Sequence, residues 1–123
     1  MEKYSIKATK NSPFVLLDPN GFVKLQGRCI MDDAKDFFKP ILTWIENFPG
    51  SKVLIEINLE YINTSSTKQI FSIFKLLKTH LNIKEVITNW YFEEGDEDGL
   101  DFGKDISKAF EFNFHYFEYS EIV

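Results

Sequence analysis

The chain has one cysteine, Cys29, and two histidines, His80 and His115, in 123 residues. A single cysteine excludes a disulfide within the chain and suits a reducing compartment. Neither histidine has a partner at metal-ligand spacing, so no metal site is expected. Cys29 has no histidine nearby to activate it as a nucleophile. No apolar run reaches the roughly 18 residues that a membrane helix needs, so no membrane insertion is expected. The start, Met1-Glu2-Lys3-Tyr4-Ser5, lacks the apolar stretch of a signal peptide, and a cytoplasmic location is expected. No Gly-rich phosphate loop, paired catalytic carboxylate motif or Ser-His-Asp spacing stands out. These absences nominate no cofactor and no catalytic residue, and the sequence reads as a non-enzyme.

What the chain does have is apolar and aromatic mass. Hydrophobic residues make up 44% and aromatics 16%, with thirteen phenylalanines. That is enough for a sizeable core, and residues 1–123 are expected to form one domain. Charge is uneven. Residues 1–90 hold 12 Lys and Arg against 9 Asp and Glu, whereas residues 91–123 hold 2 against 10. The acidic C-terminal third argues against nucleic-acid binding there and fits either a solvated face or a site for a basic partner.

Apolar periodicity orders the elements. Phe14–Leu17 and Phe22–Gly27 flank Asp18-Pro19-Asn20-Gly21, a hairpin signal. Residues 32–48 repeat apolar positions at helical spacing through Ala34, Phe37, Phe38, Ile41, Leu42, Ile45 and Phe48. Pro40 inside that pattern predicts a bend, or a helix that starts nearer to it; Pro49-Gly50 ends it. Val53, Ile55, Ile57, Leu59 and Tyr61 alternate, which predicts a strand to Ile62 with those five side chains on its buried face. A helix is predicted over 66–81, a strand over 86–92, a weak helix over 96–110, and a last strand through Phe110, Phe112, Phe114 and Tyr116 that could form an exposed sheet edge. The order predicts an α/β fold: one mixed β-sheet with an N-terminal hairpin and about three helices.

The residues richest in chemistry follow the central strand. Asn63-Thr64-Ser65-Ser66-Thr67 puts five capping-type residues at a strand-to-helix turn. One of them capping the helix contributes roughly 1 kcal/mol. The same free N–H groups and helix dipole favour a phosphate, so a phosphoacceptor or anion site is the second reading. Lys68, one turn on, would screen such a phosphate, and Glu60 would oppose it. Residues 94–105 imitate a calcium loop, with oxygen-bearing side chains at the first, third and fifth positions and a glycine at the sixth. Glu94, Asp101 and Asp105 are the wrong residues at its first, eighth and last positions, and a solvated loop that starts a helix is the preferred reading. Trp44 and Trp90 read as core or interface anchors.

Four segments resemble the SiaC-type family of bacterial regulatory phosphoproteins: Ala8-Thr9-Lys10-Asn11-Ser12-Pro13, Gly27-Arg28, Leu59 to Lys68, and Asn89-Trp90-Tyr91-Phe92-Glu93-Glu94 with Asp96-Glu97-Asp98. The Tyr-x-Asn-Thr-Ser-Ser-x-Lys core is the most specific. The chain departs from the family after Gly27-Arg28, where Cys29-Ile30-Met31-Asp32 replaces the usual Ser, aromatic, Pro and Glu. The resemblance implies a STAS-like fold, similar to anti-sigma-factor antagonists, without catalytic activity. It implies phosphorylation of Thr64 by a serine/threonine kinase and removal of the phosphate by a PP2C-type phosphatase. It implies that the unphosphorylated form binds and regulates a diguanylate cyclase, and through cyclic di-GMP controls biofilm formation. Asn63, Ser65, Ser66 and Lys68 are then expected to support the phosphosite, and Tyr61, Arg28 and Trp90 to lie on the partner surface. The alternative is a STAS-like module that binds a small molecule or lipid and is never phosphorylated.

Overall fold

In chain order the elements are β1 (Tyr4–Ile6), β2 (Phe14–Asp18), β3 (Phe22–Cys29), α1 (Ala34–Glu46), β4 (Lys52–Ile62), α2 (Thr64–Thr79), β5 (Glu85–Glu93), α3 (Glu97–Phe110) and β6 (Phe114–Tyr119). They come from a computed structural model that describes residues 1–120. The six strands form one mixed sheet whose spatial order is the sequence order, β1 to β6. β1, β2 and β3 are antiparallel neighbours; β3, β4, β5 and β6 run parallel.

Each parallel pair is joined by one helix. Right-handed crossovers that advance in a single direction lay all three helices on the same face of the sheet, and α1 packs on α2 and α2 on α3. The core lies between those layers. Val23, Leu25, Ile55 and Ile57 from the strands meet Phe38, Ile41, Ile70, Ile73 and Phe74 from the helices, and all nine are fully buried. The other face has no helix over it among the described residues and carries polar groups. There Glu56 accepts hydrogen bonds from Asn89 (3.3 Å) and Tyr91 (3.4 Å), and Tyr119 donates to Asn58 (3.1 Å).

The expected mixed α/β sheet with three helices is the observed one, and several boundaries move. The hairpin forms through Gly21 N–H donating to Asp18 O at 2.9 Å. α1 starts at Ala34, with Asp33 accepting from the Asp36 N–H, and runs through Pro40 without ending there. β1 has only three residues, too few for a periodic signal. The last strand begins at Phe114 instead of Phe110. Phe110 closes α3, Glu111 turns the chain at φ 56°, and Phe112 packs on Phe74 from the loop. β6 is the sheet edge on that side.

Candidate functional site

The residues quoted for the family resemblance are scattered in sequence, and the fold gathers them. The parallel strands bring the carboxyl ends of β3, β4 and β5 to one edge of the sheet, and β2, antiparallel to β3, delivers residues 8–13 to the same edge. Backbone bonds hold them together: Ile30 N–H to Asn11 O at 2.9 Å, and Asn63 N–H to Cys29 O at 3.1 Å. Gly27 has φ +129°, a backbone conformation that favours glycine, where β3 passes beneath the 8–13 loop.

At the end of β4 the ladder slips. Arg28 pairs with Glu60 and Cys29 with Ile62, which leaves Tyr61 as an extra residue with φ 52°. This bulge corrects the expectation that Tyr61 lies on the buried face. Its side chain is 67% exposed, and the Arg28 guanidinium sits 5.2 Å from the ring centroid. A bulge that re-aims one side chain next to a functional turn is a recurrent device in sheets, and a non-glycine residue in the left-handed region costs about 1 kcal/mol or more.

α2 begins two residues earlier than the periodicity predicts, at Thr64, with Asn63 as its cap. Asn63 does four jobs at once. Its Oδ1 accepts from the Ser66 N–H (3.0 Å) and the Ser65 hydroxyl (3.3 Å), its Nδ2 donates to Met31 O (3.0 Å), and its carbonyl accepts from the Thr67 hydroxyl (3.0 Å). The cap therefore ties α2 to the loop after β3. Asn63→Ala is expected to lower stability by about 2 kcal/mol, more than a simple cap, because it also orphans Met31 O; urea unfolding measures it, and Asn63→Asp, which keeps only the cap, should lose about half as much.

With the capping role assigned to Asn63, the hydroxyls separate. Ser66 is fully buried. Ser65 is half-buried and bonded to Asn63, and Thr67 is bonded to the Asn63 carbonyl. Thr64 is exposed, and its hydroxyl has no hydrogen bond among the described residues. It is the hydroxyl of the four that solvent and an enzyme reach freely, at the first position of a helix whose N–H groups favour an anion. Lys68, exposed and four residues on, shares its helix face.

Beneath the turn, burial pushes the Cys29 thiol above its ordinary 9.0, and the neighbouring Ser66 hydroxyl opposes this weakly. Ser66 Oγ is not aligned for a full hydrogen bond with any group, so the contact is loose. A thiol held protonated by the fold stabilises fully below pH 9, and that contribution declines as pH rises beyond it. Cys29→Ala should therefore flatten the alkaline limb of a stability–pH profile; an identical limb in both proteins contradicts the assignment.

Two expectations about side chains change. Trp90 does not lie on a partner surface. It is 2% exposed beneath α3, donates to Gly99 O at 3.1 Å and stacks on Phe114. Ser66 supports the site from below, as packing. Residues 94–105 follow the preferred reading, a loop that starts a helix: α3 takes up most of these positions, and Asp96 caps it by accepting from the Gly99 N–H at 3.0 Å. His80 is structural: its Nδ1 accepts from the Asn82 N–H, and its Nε2 lies 3.1 Å from Glu46 O.

Comparison with known proteins bears on the fold and the family. Three solved structures of Pseudomonas aeruginosa superpose on the chain. SiaC matches with a TM-score of 0.82 at 21% identity, over 98% of this chain and all of that one. Apo-SiaC gives 0.84 at 24%, over 95% and 99%. SiaC in complex with the diguanylate cyclase SiaD, of which it is the activator, gives 0.85 at 22%, over 94% and 99%. At these identities the likeness establishes the fold. An uncharacterized protein of the same species is 28% identical over 102 residues, 79% of this chain and 81% of its own length. The profile of the SiaC family regulatory phosphoproteins matches residues 6–119, and the chain belongs to that family.

Proposed function

We propose that this protein is a non-enzymatic cytoplasmic switch, set by reversible phosphorylation of Thr64, whose unphosphorylated form binds and activates a diguanylate cyclase. The observation that carries the reading is the division of labour at the turn. Asn63 does the capping, Ser65, Ser66 and Thr67 are bonded or buried, and Thr64 is left exposed and free. Family membership supports it, as does the complex that SiaC forms with SiaD.

The geometry suggests how the switch works. Thr64, Arg28, Lys68 and the outward-turned Tyr61 form one exposed patch around the start of α2. It offers an aromatic anchor with Arg28 over its ring, and a second cation, Lys68, in the first turns of α2. Phosphate on Thr64 adds about −1.5 to −2 charges in the middle of that patch. It cancels the local positive potential and offers Arg28 a better partner than the Tyr61 ring, so the docking surface changes in both charge and shape. A serine/threonine kinase and a PP2C-type phosphatase would set the state.

The test is cyclase output. Cyclic di-GMP formed by the candidate cyclase is measured with the chain before and after phosphorylation by the kinase. Activation by the unphosphorylated form alone is expected; equal activation by both forms sinks the proposal.

A further inference from the structure

The patch around Thr64 leaves the acidic C-terminal third without a role. The fold brings part of that charge to a cleft of about 580 Å³ that opens between the first turns of α2 and α3, over the carboxyl ends of β4, β5 and β6. This is where parallel α/β sheets commonly hold ligands. Leu59, Ile62 and Phe102 give it an apolar lining, and the exposed ring of Tyr61 stands at its mouth. Glu60, Glu93 and Asp98 line it as well. None of the three carboxylates has an ion pair or side-chain hydrogen bond among the described residues, and no described lining residue is basic.

We infer that this cleft docks a basic segment of a partner protein, with Arg or Lys side chains at the carboxylates and an apolar side chain between them. The charges are complementary to such a segment and to no anion. They are also dispersed: among the described residues no group of three or more Asp, Glu, His or Cys converges as a metal site. Separated carboxylates over an apolar floor suit several cationic groups along a peptide better than one ion.

The cleft and the Thr64 patch respond to phosphate with opposite sign. Thr67, one turn from Thr64 on α2, lines the cleft, so phosphate on Thr64 makes its edge more negative and tightens a basic ligand. A partner that docks here favours the phosphorylated chain, as an enzyme that removes the phosphate must. This last step rests on the proposed switch; the docking itself does not.

The test uses a labelled peptide of Arg and Leu residues, with a Glu-for-Arg peptide as control, titrated at low salt. The variants are Glu60→Gln/Glu93→Gln/Asp98→Asn, a triple variant of equal charge change outside the cleft (Glu2→Gln/Glu46→Gln/Glu111→Gln), and Thr64→Glu. The cleft variant should bind about tenfold more weakly than wild type, from three solvent-screened charge pairs of modest strength each, and the control triple less than about twofold more weakly. Thr64→Glu should bind about threefold more tightly, and the Glu peptide should not bind. Equal weakening by both triple variants would mean diffuse attraction and overturn the docking site. Tightening absent in Thr64→Glu, with the cleft variant still impaired, overturns the link to the switch. The cyclase assay decides the switch itself independently of either result.

Discussion

Thr64→Glu is expected to weaken binding of the regulated partner by about 100-fold or more, because the carboxylate draws Arg28 off the Tyr61 ring and cancels the positive potential of the docking patch, and a mismatched charge in a desolvated contact costs several kcal/mol. Thr64→Ala should bind as the unphosphorylated chain does. The pair is informative because neither variant should harm the fold. Thr64 is exposed and its hydroxyl makes no bond within the described residues, while the cap belongs to Asn63. Alanine is a good residue in a first helical turn, and glutamate there gains about 0.5 kcal/mol from the helix dipole. Lost binding in Thr64→Glu at an unchanged Tm is then a charge effect and not unfolding. Calorimetric titration with the purified partner measures it, and indistinguishable affinities for the two variants would remove Thr64 from the mechanism.

The second large effect is expected at Gly103, on the buried face of the acidic helix α3. A Cβ on Gly103 would lie 2.6 Å from Cε2 of Trp90 and 2.7 Å from its Nε1. The indole has nowhere to go. Its Nε1 donates to Gly99 O, Phe114 stacks on one side with centroids 5.8 Å apart, and Phe102 meets it edge-on at 5.7 Å. Gly103→Leu should destabilise by about 3 kcal/mol and lower Tm by about 10 °C or more, despite leucine's better helix propensity. Because α3 forms one wall of the cleft, basic-peptide binding should fall with it. A Gly103→Leu protein that melts like wild type would mean that α3 does not sit on Trp90 as described.

The elements that periodicity located are those with enough residues to repeat. α1 shows four turns of apolar spacing, and β4 alternates over ten residues. β1, with three residues, has no period to show. The run Phe110, Phe112, Phe114, Tyr116 alternates like a strand, yet it belongs to a helix end, a turn and a strand start. Aromatic rings packing on α2 from three local conformations imitate a period of two.

Periodicity alone misplaces Tyr61 for a related reason. Strict alternation carries the buried face one residue too far, and a bulge leaves no mark in the local sequence when a tyrosine occupies the left-handed position. Trp90 fails differently. A tryptophan beside polar neighbours on a strand reads equally as anchor or core, and only α3 overhead decides it. The hydroxyl cluster was visible at once. What chooses among its members is burial and hydrogen bonding, which depend on Asn63 reaching across to Met31. The meeting of residues 11–13, 27–28 and 61–68 at one sheet edge is a property of the strand order, which no single segment encodes.

One measurement bears most directly on the account: intact mass and phosphopeptide mapping of the purified chain after incubation with the proposed serine/threonine kinase and ATP, for wild type and Thr64→Ala. The account predicts one phosphate on wild type, located at Thr64, and none on Thr64→Ala. Phosphate on Ser65 or Thr67, or an equal load on the Thr64→Ala chain, would contradict it.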